Sequence, residues 1–318
     1  MGFWGCFWRW SGGNWYMLNR KKNIAISINQ GIFESLLGFY GKCKCLQLKP
    51  KKRIMKVSFD KNIYEHVVDP DKGLFGKGHE DKEAYYKINA AIKSGGIEPF
   101  ISETILTIET IDKNDRKHSL TRKDRLTTNV ISHDSNYQVR SSVSIKPNHE
   151  IYPENKDHYQ IYLPIAIELG FKILPSYRLE KIVNPYIKPE WYYVPPQNEP
   201  FEIPNKFSSI VSFIEAEGFG FAALKKLIDY QESENKSWVD YLEKYTGNSK
   251  SLQEKIAEWS DGDSIAIHIA CGIKYFCTND GAFSDKTKSV FSKKMKTKLI
   301  DQFDIEFVTP IELSKLIS

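Results

Sequence analysis

The sequence predicts an α/β fold built on a mostly parallel central sheet, with a large insertion of β-character. Three observations predict it. Short apolar runs at Met55–Asp60, Ile97–Ile101, Lys274–Thr278 and Phe303–Val308 read as buried strands. Stretches of helical periodicity separate them. The runs are mainly apolar, as parallel strands covered on both faces tend to be, and strand followed by helix followed by strand implies a βαβ layer architecture.

The chain opens on a segment unlike the rest. Four of its seven tryptophans (Trp4, Trp8, Trp10, Trp15) fall in the first fifteen positions, and a cationic stretch from Lys49 to Arg53 closes the segment. Trp and Lys suit a membrane boundary or a partner-binding arm. A signal peptide would place its charge before an apolar core, whereas Arg9 interrupts the aromatic run. The expectation adopted is a poorly ordered leader over 1–54, with a compact domain over 55–318.

Charge divides the same way. The totals are 45 Lys and Arg against 40 Asp and Glu. Residues 1–54 hold ten of the basic residues and one acid, Glu34, leaving 35 basic and 39 acidic residues, a net of −4, for 55–318. Nucleic-acid binding by bulk positive potential is therefore not a property of the body, and any such contact needs local basic patches. The five cysteines (Cys6, Cys43, Cys45, Cys271, Cys277) form no CxxC pair and no even disulfide framework. A reducing cytoplasm is the expected location, and no run from Met55 onward is long and apolar enough to predict a membrane span.

Element by element, Met55–Asp60 is a strand ending in an acid, followed by a breaker-rich loop over Asp69–Glu80. Asp81–Lys93 is helical and stops at Gly95–Gly96. After the strand Ile97–Ile101, Ser102 is placed to cap a helix reaching about Ile111. From about 116 to 205 the chain turns polar and proline-rich, with short alternating runs at Tyr137–Ile145 and Phe171–Leu174, and reads as an insertion. Helices are predicted at Phe207–Glu217, Phe221–Gln231 and Lys236–Tyr245, and Ser251 with Glu254 forms a capping box for one ending at Trp259. Asp263–Cys271 reads as a separate apolar helix closed by Gly272, with Asp263 at its N-terminus. A Lys-studded helix over Thr287–Leu299 follows the strand Lys274–Thr278, and Pro310 opens a terminal helix after the last strand.

The acids matter by position. Asp60 ends the first strand and Asp280 a later one, and in open parallel sheets the carboxyl ends of strands line the ligand crevice. Carboxylates gathered there repel one another unless a divalent cation compensates. Glu109 lies on a helix near the end of the second strand, and Asp263 at a helix start, so four acids from four elements can converge on one rim. Asp261 and Asp285 are read as solvated neighbours. His268, on an apolar helix, is read as a packed histidine.

At this point the sequence resembles a known family. MKVSFDKN at 55–62, ISETILTIE at 101–109, GDSIAIHIA at 262–270, YFCTNDGAF at 275–283 and FVTPIEL at 307–313 are similar, in order and type, to the recurring motifs of PIN-domain nucleases. The resemblance covers both ends of 55–318 and hardly touches the middle. It implies a three-layer α/β/α sandwich and a site for Mg²⁺ or Mn²⁺ held by Asp60, Glu109, Asp263 and Asp280. Asn62 and Thr278 would be supporting residues, with Glu103 competing with Glu109 for the glutamate position. It further implies metal-assisted hydrolysis of RNA phosphodiester bonds. The implied partners are an RNA substrate, an antitoxin protein, as for the toxin ribonucleases of this family, and a second copy of the chain. Lys286, Lys288, Lys293 and Lys294, just beyond the site, are candidate RNA contacts, set against the ordinary use of such a run as a solvated helix face. Trp191, Tyr192 and Tyr193 suit base stacking or core packing equally.

Two other readings stand beside this one. A PIN-like module that binds RNA or regulates without catalysis is consistent with the insertion and the negative body. A haloacid-dehalogenase type phosphatase also places an Asp after its first strand, but wants a second Asp two positions on, where this chain has Asn62.

Overall fold

The computed structural model describes residues 6–11, 14–19, 24–29, 54–71, 79–121, 125–133, 139–146, 158–179, 184, 186–195, 202–231, 237–280 and 289–317. The chain divides into two compact units, Met1–Lys52 and Arg53–Ser318. In the first, which falls within the expected leader, three strands pair as an antiparallel meander: β1 (Cys6–Ser11), β2 (Asn14–Asn19) and β3 (Ile24–Asn29).

The second unit is an α/β domain on a five-stranded, all-parallel sheet. Its strands are β4 (Met55–Phe59), β5 (Ile97–Ser102), β8 (Lys172–Leu174), β9 (Tyr275–Cys277) and β10 (Glu306–Val308), in the order β10-β9-β4-β5-β8. Side chains alternate faces along each strand. Val57, Phe59, Ile101, Ile173 and Cys277 enter the core on one face, and Phe100, Leu174 and Phe276 enter the core on the other. Helices α1 (Lys61–Val68), α2 (His79–Lys93), α4 (Leu163–Glu168) and α10 (Pro310–Leu316) contribute to the first core. The second is built with α5 (Glu202–Ala216), α8 (Ser249–Ala270) and α9 (Lys293–Phe303). Two covered faces make the three-layer α/β/α sandwich. A third, smaller core joins α3 (Arg116–Leu120), α6 (Phe221–Leu227), α7 (Trp238–Lys244) and the first half of α8 around Trp259.

The chain departs from β4 in both directions across the sheet: β5 and β8 lie on one side, β9 and β10 on the other. The order therefore reverses between β4 and β9, and a crevice opens beyond the carboxyl ends of strands at such a point.

Three elements differ from their sequence reading. Within 116–205, the hairpin of β6 (Arg125–His133) and β7 (Val139–Lys146) has the β-character expected there. The run at Phe171–Leu174, however, belongs to the central sheet, where Ile101 pairs with Ile173 and Ser102 with Leu174. Three residues of strand are too short a signal to separate from an insertion.

The two helices predicted around Gly262 are one continuous helix, α8. Asn248 caps it, its side-chain oxygen accepting the Ser251 N–H at 2.9 Å. Gly262 lies inside it and marks a close approach rather than a helix stop: a Cβ there would lie 3.0 Å from Gly220 Cα. The Lys-studded helix begins only at Lys293, where the Ser292 hydroxyl caps the Met295 N–H.

Candidate metal centre

Asp60 follows β4 directly. Its backbone N–H continues the sheet by donating to Cys277 C=O at 3.0 Å, which places its side chain at the β4–β9 reversal. Both carboxylate oxygens are engaged. Oδ1 accepts the Lys61 N–H at 2.6 Å, capping α1, and Oδ2 accepts the Thr278 hydroxyl at 2.8 Å. Helix-capping and site roles thus coincide in one residue. Thr278, just after β9, in turn accepts the Asp280 N–H on its Oγ1 at 3.0 Å, fixing the turn that carries Asp280.

Glu109 ends a one-turn π-helix, Ile105–Glu109, that follows β5. Thr110 closes this turn by donating its hydroxyl to Leu106 C=O at 2.6 Å, a side chain competing for a helical acceptor. The Glu109 carboxylate accepts from Ser260 Oγ at 2.7 Å, which ties it to α8. Asp261, the next residue of α8, completes the group. One carboxylate oxygen from each of Asp60, Glu109 and Asp261 lies within 4.8 Å of the others.

The electrostatics of this triad are adverse without a cation. Burial raises the pKa of Asp60, and the charges of Glu109 and Asp280 raise it further against the opposing bonds from Thr278 and Lys61. Burial likewise raises Glu109, offset by Ser260, Lys61 and Arg116. Asp261 is raised well above the usual carboxylate range by burial, then by Glu109, Asp60, Glu258 and Asp280. Three carboxylates that each resist ionisation beside the others offer the hard oxygen donors that Mg²⁺, Mn²⁺ and Ca²⁺ prefer. The donor set fits a divalent cation, and the cluster can hold one.

No family model, curated protein or solved structure matches the chain. The site must be read from its own geometry.

Of the residues singled out from sequence, Asp60 and Glu109 meet in the cluster. Asp280 stands exposed at its rim, and its charge acts on Asp60, Glu109 and Asp261. Asp263 does not join them. It is buried with its Oδ2 accepting the Trp259 indole N–H at 2.9 Å and its Oδ1 3.6 Å from Arg178, and burial pushes its pKa up to about 7. Glu103 is also turned elsewhere, accepting the Ser176 N–H at 2.7 Å and the Tyr192 hydroxyl at 2.6 Å, which leaves Glu109 as the glutamate of the cluster. Asn62 is exposed in the first turn of α1. Lys293 and Lys294 are exposed, while Asp285, Lys286 and Lys288 lie outside the described residues. His268 is buried against Ser58, its Nδ1 2.9 Å from Oγ, as a packed histidine. Tyr192 holds Glu103, Tyr193 packs edge-on against Phe100 at 5.2 Å, and the Lys188 ammonium lies over the Trp191 ring at 5.2 Å.

Sequence reasoning misses one member of the triad, Asp261, and three of its neighbours. Asp261 reads as solvated only when α8 is divided at Gly262. Read as one helix, Asp263 falls on the stripe of Ile256, Trp259, Ile267 and Ala270, all buried, which is a signal against its exposure. Lys61 donates its Nζ to Glu109 C=O. Arg116 reaches the same oxygen at 3.4 Å. Lys296, half-buried over Phe291 and Phe307, donates to Asp280 C=O at 2.6 Å. No sequence spacing announces these three. No single helix among the described residues is long and apolar enough to cross a membrane.

Proposed function

We propose that this chain is a divalent-metal-dependent ribonuclease of the PIN type, hydrolysing phosphodiester bonds with Mg²⁺ or Mn²⁺ at the carboxylate cluster. The observation that carries the reading is the convergence of Asp60, Glu109 and Asp261, from three separate elements, to within 4.8 Å at the reversal point of the sheet. Asp60 and Asp261 would ligate the ion, and Glu109, held by Ser260, would complete the set. A bound divalent cation supplies a nucleophile at neutral pH and offsets charge on the phosphoryl oxygens.

The protein's own part is to hold the carboxylates before the substrate arrives. Thr278 orients Asp60 through a 2.8 Å bond, so the side chain loses little rotamer freedom on ion binding. Lys296 holds the backbone of Asp280, keeping that carboxylate at the rim, where it can accept a proton or orient water. The mixture of acids with three nearby cations (Lys61, Arg116, Lys296) suits a polyanionic substrate meeting an acidic centre.

The direct experiment is cleavage of a labelled single-stranded RNA by the purified chain with Mn²⁺ or Mg²⁺. Activity is expected with either ion, to be lost with chelator, and to fall by orders of magnitude in Asp60→Asn and Asp261→Asn. Cleavage undiminished in both variants rejects the assignment.

A further inference from the structure

Beside the triad lies an open cleft of about 850 Å³, bordered by Lys61, Glu109, Lys113, Asn114, Arg116 and Gln253. Glu109 is shared between cleft and cluster, so the two adjoin at one side chain.

Arg116 stands out on this wall. Its residue is only 5% exposed, yet among the described residues its guanidinium makes only long bonds to carbonyls: Nε to Ile111 O and Nη2 to Glu109 O, both at 3.4 Å. No carboxylate oxygen among the described residues comes within 4.0 Å of it. Lys61, only partly buried, likewise faces no carboxylate among the described residues. Its ammonium donates to that same Glu109 carbonyl and has no carboxylate within 4.0 Å among the described residues. Two cations thus converge on a single neutral oxygen. Eight N–H donors between them have three carbonyl bonds among the described residues. Buried charges are ordinarily paired, and a guanidinium is shaped to take two oxygens of one anion.

The acids of the cleft do not meet this need. Glu109, Asp261 and Asp112 act on Arg116 through their charge, without a direct bond. Asp112 turns its Oδ1 back to the Asn114 N–H at 2.9 Å, and Asp112 and Asp115 are both exposed on the outer wall. The far wall is polar and uncharged, with Gln253 Nε2 donating to Asn114 Oδ1 at 3.3 Å.

We infer that this cleft is a phosphate-binding subsite for a single-stranded nucleic acid, in which Arg116 and Lys61 grip a backbone phosphate next to the one at the carboxylate cluster. Lys113, exposed on the same cleft, would meet a further phosphate. The inference rests on the nuclease reading for the identity of the anion, but not for the existence of the subsite. It places substrate affinity and register in Lys61, Lys113 and Arg116, beside the acidic ligands.

The test is binding of a 5′-fluorescein single-stranded RNA 12-mer, followed by anisotropy in Ca²⁺ over a series of salt concentrations. Manganese calorimetry without RNA runs in parallel. Arg116→Gln and Lys61→Gln should each weaken RNA about tenfold and reduce the slope of log K against log salt by about 0.7, one phosphate contact on a single strand. Manganese binding should persist in both. Lys113→Gln, an exposed change that does not threaten folding, should reduce the slope in the same direction, and Arg116→Lys should restore part of the affinity. Unchanged RNA affinity and slope in Lys61→Gln and Lys113→Gln, or no RNA binding by the unaltered chain, overturns the subsite. RNA binding that depends on Lys61 in a protein that takes no manganese keeps the subsite and removes the metal reading instead.

Discussion

Asp261 and Asp263 stand two residues apart on one helix and serve opposite sides of it. Asp261 offers an oxygen within 4.8 Å of those of Asp60 and Glu109, while Asp263 accepts the Trp259 indole N–H at 2.9 Å and faces Arg178. Two residues of α-helix turn the side chain by about 200°, so the two carboxylates cannot share a ligand.

Metal affinity should follow that geometry. Manganese titration calorimetry is expected to show binding lost in Asp60→Asn and Asp261→Asn and retained in Asp263→Asn. The reverse pattern, with Asp263 required and Asp261 dispensable, would place the centre on the wrong side of α8.

Stability should report the repulsion directly. Each of Asp60, Glu109 and Asp261 has its pKa raised by burial and by neighbouring carboxylates, so neutralising one relieves the others. Without metal, Asp261→Asn should melt at a higher temperature than the unaltered chain. Adding Mn²⁺ at about a hundred times its Kd should stabilise the unaltered chain by about 2.7 kcal/mol and leave Asp261→Asn unmoved. A lower melting point for metal-free Asp261→Asn would mean that the carboxylate stabilises the fold.

Thr278 links both carboxyl strand ends, donating to Asp60 at 2.8 Å and accepting the Asp280 N–H at 3.0 Å. Thr278→Val leaves a buried carboxylate and an amide without that partner, at a cost of about 1–3 kcal/mol in denaturant unfolding. Thr278→Ser keeps the hydroxyl and should recover most of the loss; failure to recover would assign the effect to the lost methyl.

The buried histidine sets an acid limb. Burial lowers the pKa of His268 to about 3, against an ordinary 6.5 in the unfolded chain. Between these values the unfolded state binds the proton and the folded state does not. This contribution is therefore complete above pH 6.5 and is lost as pH falls toward 3, by up to about 1.4 kcal/mol per unit. Urea unfolding across that window should be less pH-dependent in His268→Gln. An identical pH profile in the variant would show that other groups govern the acid limb.

Gly262 sets two effects against each other. Alanine within a helix is favoured over glycine by about 1 kcal/mol, but a Cβ at 262 would sit 3.0 Å from Gly220 Cα, which is backbone and cannot rotate away. Overpacking of this kind costs about 1–3 kcal/mol, so Gly262→Ala should lower the melting temperature. A more stable variant would mean that α6 and α8 can separate freely.

Much of the α/β frame is legible in the residues. Apolar runs mark β4, β5, β9 and β10, and Pro310 marks the start of α10. The positions of Asp60 and Asp280 at strand ends are legible too, because strand ends are local events. Local signals fail where contacts are distant. Leu174 and its two neighbours form a strand where β5 offers them an edge, and Gly262 marks a close approach to Gly220 rather than a helix end.

The sequence by itself determined the periodicity of each segment, and hence the class of fold and the acids placed at the ends of strands. Only the tertiary structure decided which acids meet. That choice depends on the phase of α8 over twenty-two residues and on Ser260, Lys61 and Arg116 reaching Glu109 from separate elements. A short-range pattern specifies the direction of a side chain only relative to its own helix or strand; packing specifies the direction of that element in space.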